Sequence, residues 1–144
     1  MAKTIRDAMT KDPRSIDVSG SIVEAARLMR DHHVGSLPVV DQGRLVGIIT
    51  DRDITTTVVA GGTDAHSARV GEFCSPDPVV VTPDATLDEA LQLMARNSLR
   101  RLPVIDDAQL VGILAQADVA LEEKEETTGE LVQAISKAPE AERR

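Results

Sequence analysis

One phenylalanine and no tryptophan or tyrosine occur in these 144 residues. With so few aromatic rings, Val, Ile, Leu, Ala and Met must build whatever core the chain buries, and the length suffices for a compact one. The same shortage removes the stacking platform on which single-stranded nucleic acid is usually held. Cations are the minority, with 16 Lys plus Arg against 24 Asp plus Glu and a net charge of −8. Non-specific binding to nucleic acid or to an anionic membrane needs a basic surface, so neither is expected as a partner. A local basic pocket is still compatible with that balance. Cys74 stands alone, which excludes an internal disulfide and a cysteine-built zinc cage. No run approaches the roughly 20 apolar residues of a membrane span, and the N-terminal stretch lacks a signal-peptide core. A cytoplasmic protein is expected.

What the chain does have is a repeat. Leu37 to Ile54 reads LPVVDQGRLVGIITDRDI, and Leu102 to Val119 reads LPVIDDAQLVGILAQADV, an offset of 65 residues. The same gapless offset aligns Asp12-Pro13 with Asp77-Pro78, Glu24-Ala25 with Glu89-Ala90, and Leu28-Met29 with Leu93-Met94. Repeats of this kind settle the organisation before any local reading does. Repeat one with its N-terminal segment covers 1–62, and a linker opening near Gly61-Gly62-Thr63 leads repeat two over 63–121. A charged segment follows over 122–144.

Each copy predicts β-α-β-β-α. Arg14–Val18 and Val79–Thr82 are β-rich runs after proline. Ser21-x-x-Glu24 and Thr86-x-x-Glu89 are capping boxes that open helices. Ile22, Ala25 and Met29, with Leu87, Ala90 and Met94, recur at helical spacing and should face the core. Gly35 is a plausible stop for the first helix, whereas the second ends at Leu99-Arg100 without a glycine. Two strands joined by a tight turn come next, Leu37–Asp41 with Arg44–Ile49 and Leu102–Asp106 with Gln109–Leu114. Their turns are Gln42-Gly43, where glycine suits positive φ, and Asp107-Ala108, where Asp must serve. A second helix begins near Thr50 and near Ala115. Leu131 and Ile135 suggest a surface helix in the tail.

Repeats with LPVVD leading into GIITDRD resemble cystathionine β-synthase (CBS) domains over about residues 3 to 121. The resemblance implies an α+β (α/β) fold in which two repeats pack about a pseudo-twofold axis, with two clefts between the sheets. It also implies a regulatory role. Many members bind AMP, ADP, ATP or S-adenosylmethionine and act on an attached or separate partner, with no obligatory cofactor and no catalysis of their own.

The family's ribose motif is glycine, two apolar residues, Ser or Thr, two variable residues, then Asp. Gly47-Ile48-Ile49-Thr50-Asp51-Arg52-Asp53 carries it whole. A carboxylate accepts from both ribose hydroxyls, and a hydroxyl at a helix start lies where phosphate is welcome. Thr50 and Asp53 equally suit a plain helix cap. Copy two keeps Gly112 and Asp118 but has Ala115 in place of the hydroxyl. Arg100 and Arg101 precede Leu102-Pro103, where guanidinium forks suit phosphate. Copy one has uncharged Gly35 and Ser36 there. Across the implied axis, Thr50 and Asp53 would share one well-equipped cleft with Arg100 and Arg101. The other, with Asp118 and Ser36, would be depleted, although Arg52 can reach toward it. Adenine would lie against Ile48 and the strand around Val79 and Val80.

His32, His33, His66 and Cys74 form no recognisable metal pattern. The acidic run from Glu122 reads as a solvated face. No P-loop, dinucleotide-binding fingerprint or nucleophile–base pairing stands out, so an enzyme is not expected. The expected protein is an adenine-nucleotide sensor that forms a homodimer through its apolar second helices, including Ile54, Val58 and Val59, and acts on an unidentified partner. A ligand-free interaction module is the alternative reading, and a redox or metal-responsive protein a third.

Overall fold

The computed structural model describes residues 3–126. In chain order it contains α1 (Ile5–Ala8), β1 (Thr10–Lys11), β2 (Ile16–Asp17), α2 (Ile22–His32), β3 (Ser36–Asp41), β4 (Arg44–Thr50) and α3 (Asp51–Asp53). A π-helical segment, Ile54–Val59, continues α3. Then come α4 (Val70–Phe73), β5 (Ser75–Pro76), α5 (Leu87–Asn97), β6 (Arg101–Asp106), β7 (Gln109–Ala115) and α6 (Gln116–Glu126). This is the expected α+β repeat with additions. The helix expected around Leu131 and Ile135 lies outside the described residues.

Two compact units form, and they cut across the repeat boundaries. The first-copy unit comprises Arg14–Pro78 with Asp107–Leu110; the second-copy unit joins the segment up to Pro13 to Val79–Asp106 and the chain from Val111. In the first-copy unit β3 lies between β2, which is parallel to it, and antiparallel β4, with β5 on the far side of β4. Its core holds Ile22, Ala25, Met29, Leu37, Val39 and Ile49. In the second-copy unit β7 pairs with both β1 and β6. Its core holds Leu87, Ala90, Met94, Leu102, Val104 and Leu114. The six helical positions expected to face the core are all buried. Burying each of the four larger ones, Ile22, Met29, Leu87 and Met94, stabilises by about 1.5–3 kcal/mol.

Each core is closed by a segment from outside its own central repeat sequence. Ile5 is fully buried in the second-copy core. Its N–H donates to the Ala85 carbonyl at 2.9 Å, and the Arg6 N–H donates to the Pro83 carbonyl at 2.9 Å. Val70, also fully buried, closes the first-copy core, its N–H donating to the Gly20 carbonyl at 2.8 Å. These short helices and the strands after them, 65 residues apart, were not anticipated from the sequence.

Local departures from expectation have identifiable causes. The second-copy box is reciprocal, Glu89 N–H donating to Thr86 Oγ1 at 3.2 Å and Thr86 N–H to Glu89 Oε2 at 3.1 Å. In the first copy only the forward half forms, from Glu24 N–H to Ser21 Oγ at 3.1 Å. The helices do not stop at glycine. His33 and Ser98 take left-handed conformations at φ 54° and 55°. The following N–H groups, of Val34 and Leu99, donate five residues back to Met29 and Met94 carbonyls at 3.1 and 2.9 Å. That is a Schellman closure made without glycine. Val79–Thr82 is not a strand but a single parallel bridge between Val81 and Val104.

The π segment follows from three adjacent threonines. Thr55 and Thr56 hydroxyls donate to the carbonyls of Asp51 and Arg52 at 3.0 and 2.7 Å, and Thr57 donates likewise to the Asp53 carbonyl. Each hydroxyl competes for the carbonyl that an α-helical N–H four residues on would use. The backbone widens instead, so that Ala60 N–H donates to Thr55 O, five residues back, at 3.0 Å. Copy two has Ala120, Leu121 and Glu122 at the equivalent positions and runs on as α-helix.

Candidate functional site

In the first-copy unit the ribose-type motif forms the bend from β4 into α3. Thr50 is extended at φ −115°, so its hydroxyl points back over the first helical turn. Asp53 N–H donates to Thr50 Oγ1, and Thr50 N–H donates to Asp53 Oδ2, both at 3.0 Å. The plain capping role is therefore realised here. It uses one oxygen of a half-buried carboxylate and leaves Asp53 Oδ1 without a described partner. Asp51 N–H donates to the Gly35 carbonyl at 2.9 Å. Asp51 Oδ1 accepts from Arg52 N–H at 2.8 Å. Ser36 pairs with Thr50, and Ile48 pairs with Pro38 on one side and Ser75 on the other.

Glycine at the motif's first position has a steric reason. A Cβ on Gly47 would stand 2.7 Å from Ser75 O and 2.9 Å from Cys74 Sγ. One on Gly112 would stand 2.7 Å from Met9 Sδ and 3.0 Å from Thr10 O. The motif's glycine thus lets the closing segment lie directly against the strand. Burial pushes the Cys74 thiol above its ordinary pKa, and the nearby Asp53 charge acts in the same direction. That lowers its thiolate fraction, which is the wrong direction for a reactive cysteine.

The second-copy unit builds the same bend with different chemistry. Ala115 N–H donates to Asp118 Oδ2 at 3.1 Å, but Ala115 has no hydroxyl to accept from Asp118 N–H. Gln116 N–H donates to the Arg100 carbonyl at 2.8 Å, the counterpart of the Asp51–Gly35 bond. Arg100 is exposed and Arg101 half-buried. Neither guanidinium lies within ion-pair distance of a carboxylate among the described residues. Val79 is half-buried against the second core, and Val80 is half-buried beside it in sequence.

Ser36, Ile48, Thr50, Arg52 and Asp53 thus belong to one unit, and Val79, Val80, Arg100, Arg101 and Asp118 to the other. Inside its own unit, Arg100 is joined to the turn that carries Asp118. Sequence reasoning overlooked Asp51 and Gln116, the residues that meet positions 35 and 100; the 65-residue offset held the signal. His33 serves as the left-handed end of α2. Among the described residues no group of three or more His, Cys, Asp or Glu is placed to hold a metal ion. No helix among them is long and apolar enough to cross a membrane.

Two copies of one α+β repeat, each bending from strand to helix through a glycine-led, Asp-ended turn, define a tandem-repeat protein. The CBS domain family model matches residues 5–60 and again 70–125, and the chain belongs to that family as a CBS-domain pair. It is 40% identical over 134 residues to the CBS domain-containing protein YhcV of Bacillus subtilis, covering 92% of this chain and 95% of that protein. A crystal structure of Hypoxic Response Protein I with two coordinated zinc ions matches with a TM-score of 0.76 and 37% identity, over 83% of this chain and 98% of that one. CBSX2 in complex with AMP matches at 0.72 and 29%, over 85% and 96%. The CBS domain pair of MJ0100, in complex with 5′-methylthioadenosine and S-adenosyl-L-methionine, matches at 0.73 and 27%, over 88% and 100%.

Proposed function

We propose that this chain is a regulatory module that binds an adenosine-type ligand and acts on a separate protein, without catalysing a reaction itself. The ligand is AMP, ADP, ATP or S-adenosylmethionine. The observation that carries the reading is the half-buried carboxylate at each strand-to-helix bend, with one oxygen spent on the cap and the other free. Such an oxygen accepts from ribose hydroxyls, while adjacent guanidinium groups bind phosphate through charge-assisted forks. The AMP and S-adenosylmethionine complexes of structurally similar CBS pairs support it. In this reading Asp53 with Thr50, and Asp118, offer ribose contacts. Arg100 and Arg101 offer phosphate contacts, with Ser36 and Arg52 near the first bend. Ile48, Val79 and Val80 offer apolar contact for adenine.

The module works in the cytoplasm as a homodimer. Val59 and Leu121 are 65% and 53% exposed on the second helical segments of the two repeats, apolar surface that a twofold partner would cover.

A thermal-shift panel of AMP, ADP, ATP and S-adenosylmethionine on the whole chain tests the ligand. A ligand at 100 times its Kd stabilises the folded state by about 2.7 kcal/mol, a shift of several degrees. A rise with at least one of the four is expected. No rise with any of them, followed by no heat in calorimetric titration, would refute the sensor reading in favour of a ligand-free dimerisation module. Sedimentation that finds only monomer at tens of micromolar would refute the dimer.

A further inference from the structure

Residues 3–11 touch both sides of the second-copy bend. Before the bend, β1 pairs with β7, Thr10 opposite Ile113 and Lys11 opposite Gly112. Met9 Sδ and Thr10 O lie directly against Gly112. Beyond the bend, α1 packs on α6. Lys3 Nζ stands 3.4 Å from Glu122 Oε2, the two side chains 34% and 18% exposed. Between these contacts Ile5 shares a core with Leu114 and Val119, the residues just outside Ala115 and Asp118. One short segment thus holds the strand that enters the bend and the helix that leaves it.

The segment's own hold is local. It consists of a four-residue helix and a two-residue strand. Besides the strand pairing, the Ile5 and Arg6 N–H groups donate to Ala85 and Pro83, and the Leu87 N–H donates to the Lys3 carbonyl at 3.2 Å. Elements this short open at lower cost than the whole fold does. The helix they rest on is also the less secured of its kind. Asp118 Oδ2 accepts from Ala115 N–H, but Ala115 has no hydroxyl to return, whereas Thr50 and Asp53 close the full box. The first-copy closing segment repeats the layout, with α4 on the π segment and β5 beside β4. It lacks the ion pair, because Ala68 and Thr57 stand where Lys3 and Glu122 do.

We propose that residues 3–11 form a ligand-linked strap, docked more firmly when the second-copy bend is occupied and lifting more readily when it is empty. A ribose hydroxyl on Asp118 fixes the first turn of α6, and with it the surface under α1 and the position of Glu122. Lifting takes β1 away from Gly112 and Ile113 and empties the slot that Ile5 fills. Occupancy of the bend is thereby converted into the covering of an apolar surface, which a separate protein can read. A ligand that favours the docked state shifts the balance by its differential affinity, and the docked strap raises ligand affinity by the same factor. The inference rests on the adenosine-ligand reading above and adds how the site is reported to the surface.

Native-state hydrogen exchange on the whole chain reads the strap, first without ligand, then at saturating AMP and separately at saturating S-adenosylmethionine. With a ligand that binds, the Ile5, Arg6 and Leu87 amides should exchange at least about fivefold more slowly. The Val70 and Gly71 amides, which donate to Gly20 and Val18 in the first-copy closing segment, are the internal reference and should slow less. Ile5→Asp places a charge in the slot and drives the strap off. Calorimetric titration of that variant should show ligand affinity reduced by the same factor as the slowing in the wild type. Equal slowing at Ile5 and Val70 would signify general stabilisation and overturn the strap, as would an Ile5→Asp variant that binds as tightly as the wild type. If Ile5→Asp does not fold, the exchange comparison on the unaltered chain decides alone. Binding with no slowing at Ile5 overturns the inference while the adenosine reading stands; binding of neither ligand overturns both.

Discussion

Replacing Ala108 with glycine should stabilise the protein. The turns joining the hairpin strands place both central residues at positive φ, 53° and 82° for Gln42-Gly43 and 51° and 67° for Asp107-Ala108. Such a turn matches the right-handed twist of its strands, but left-handed backbone costs an ordinary residue roughly 1–2 kcal/mol. Asp tolerates it and glycine is free of it, whereas Ala108 bears the full penalty. Glycine also gives the unfolded chain more freedom, which returns about 0.4–1 kcal/mol. The net gain is about 0.5–1 kcal/mol, a rise in Tm of about 2–4 °C for a chain of this length. The reciprocal variant, Gly43→Ala, incurs the same backbone penalty, and its new Cβ presses on the end of the flexible Gln109 side chain. It should lose about 1 kcal/mol. Scanning calorimetry on both variants checks the pair. A lower Tm for Ala108→Gly, or an unchanged one for Gly43→Ala, would refute the argument from backbone conformation.

Two further outcomes follow from packing and from charge. Ile5→Ala should cost about 2–5 kcal/mol, because it opens a cavity where the N-terminal helix closes the second-copy core. Urea denaturation measures it, and a loss under about 1 kcal/mol would mean that the segment is not integral to that core. The Ser19 hydroxyl and N–H both donate to Asp17 and hold its carboxyl below the usual carboxylate range. A pKa lowered in the folded state adds stability above the unfolded-state value and loses it as pH falls through the folded one. The stability difference between wild type and Asp17→Asn should therefore shrink as pH falls through the acid range. A difference constant with pH in urea titrations would contradict it.

The sequence made the long elements legible because two independent signals agreed there. Ser21 and Thr86 mark helix starts, and the buried positions behind them recur at helical spacing. The Asp-ended bends were legible for the same reason, as motif and cap at once. The closing helices were missed because four residues show no periodicity, although Thr4-x-x-Asp7 is a capping pattern and the 65-residue offset ties Ile5 to Val70. His33 was passed over because the nearby Gly35 offered the cheaper left-handed residue, and Ser98 because serine carries no strong left-handed signal; the five-residue hydrogen bonds decided otherwise. The β-branched run at Val79–Thr82 pointed to a strand, yet the chain meets Val104 only once before Pro83 turns it away. The π segment depends on three hydroxyls competing for carbonyls, an interaction that propensity does not register. At the candidate site, the residue types were legible but not the neighbours. That Asp51 meets Gly35 and Gln116 meets Arg100 depends on where one strand begins beside the end of the next.

The exchange of closing segments sets an order of completion as the chain is synthesised. Every piece of the first-copy core lies between Ile16 and Val70, so that core can consolidate as soon as the chain has grown past Pro78. Ile5 leaves the ribosome earlier yet waits longest. Its partners run from Val81 to Val119, and β1 has no strand to join until Gly112 and Ile113 arrive. For about a hundred residues of growth Ile5 and its short helix have no core to enter. Burial of Ile5 thus follows, rather than precedes, completion of the first-copy core.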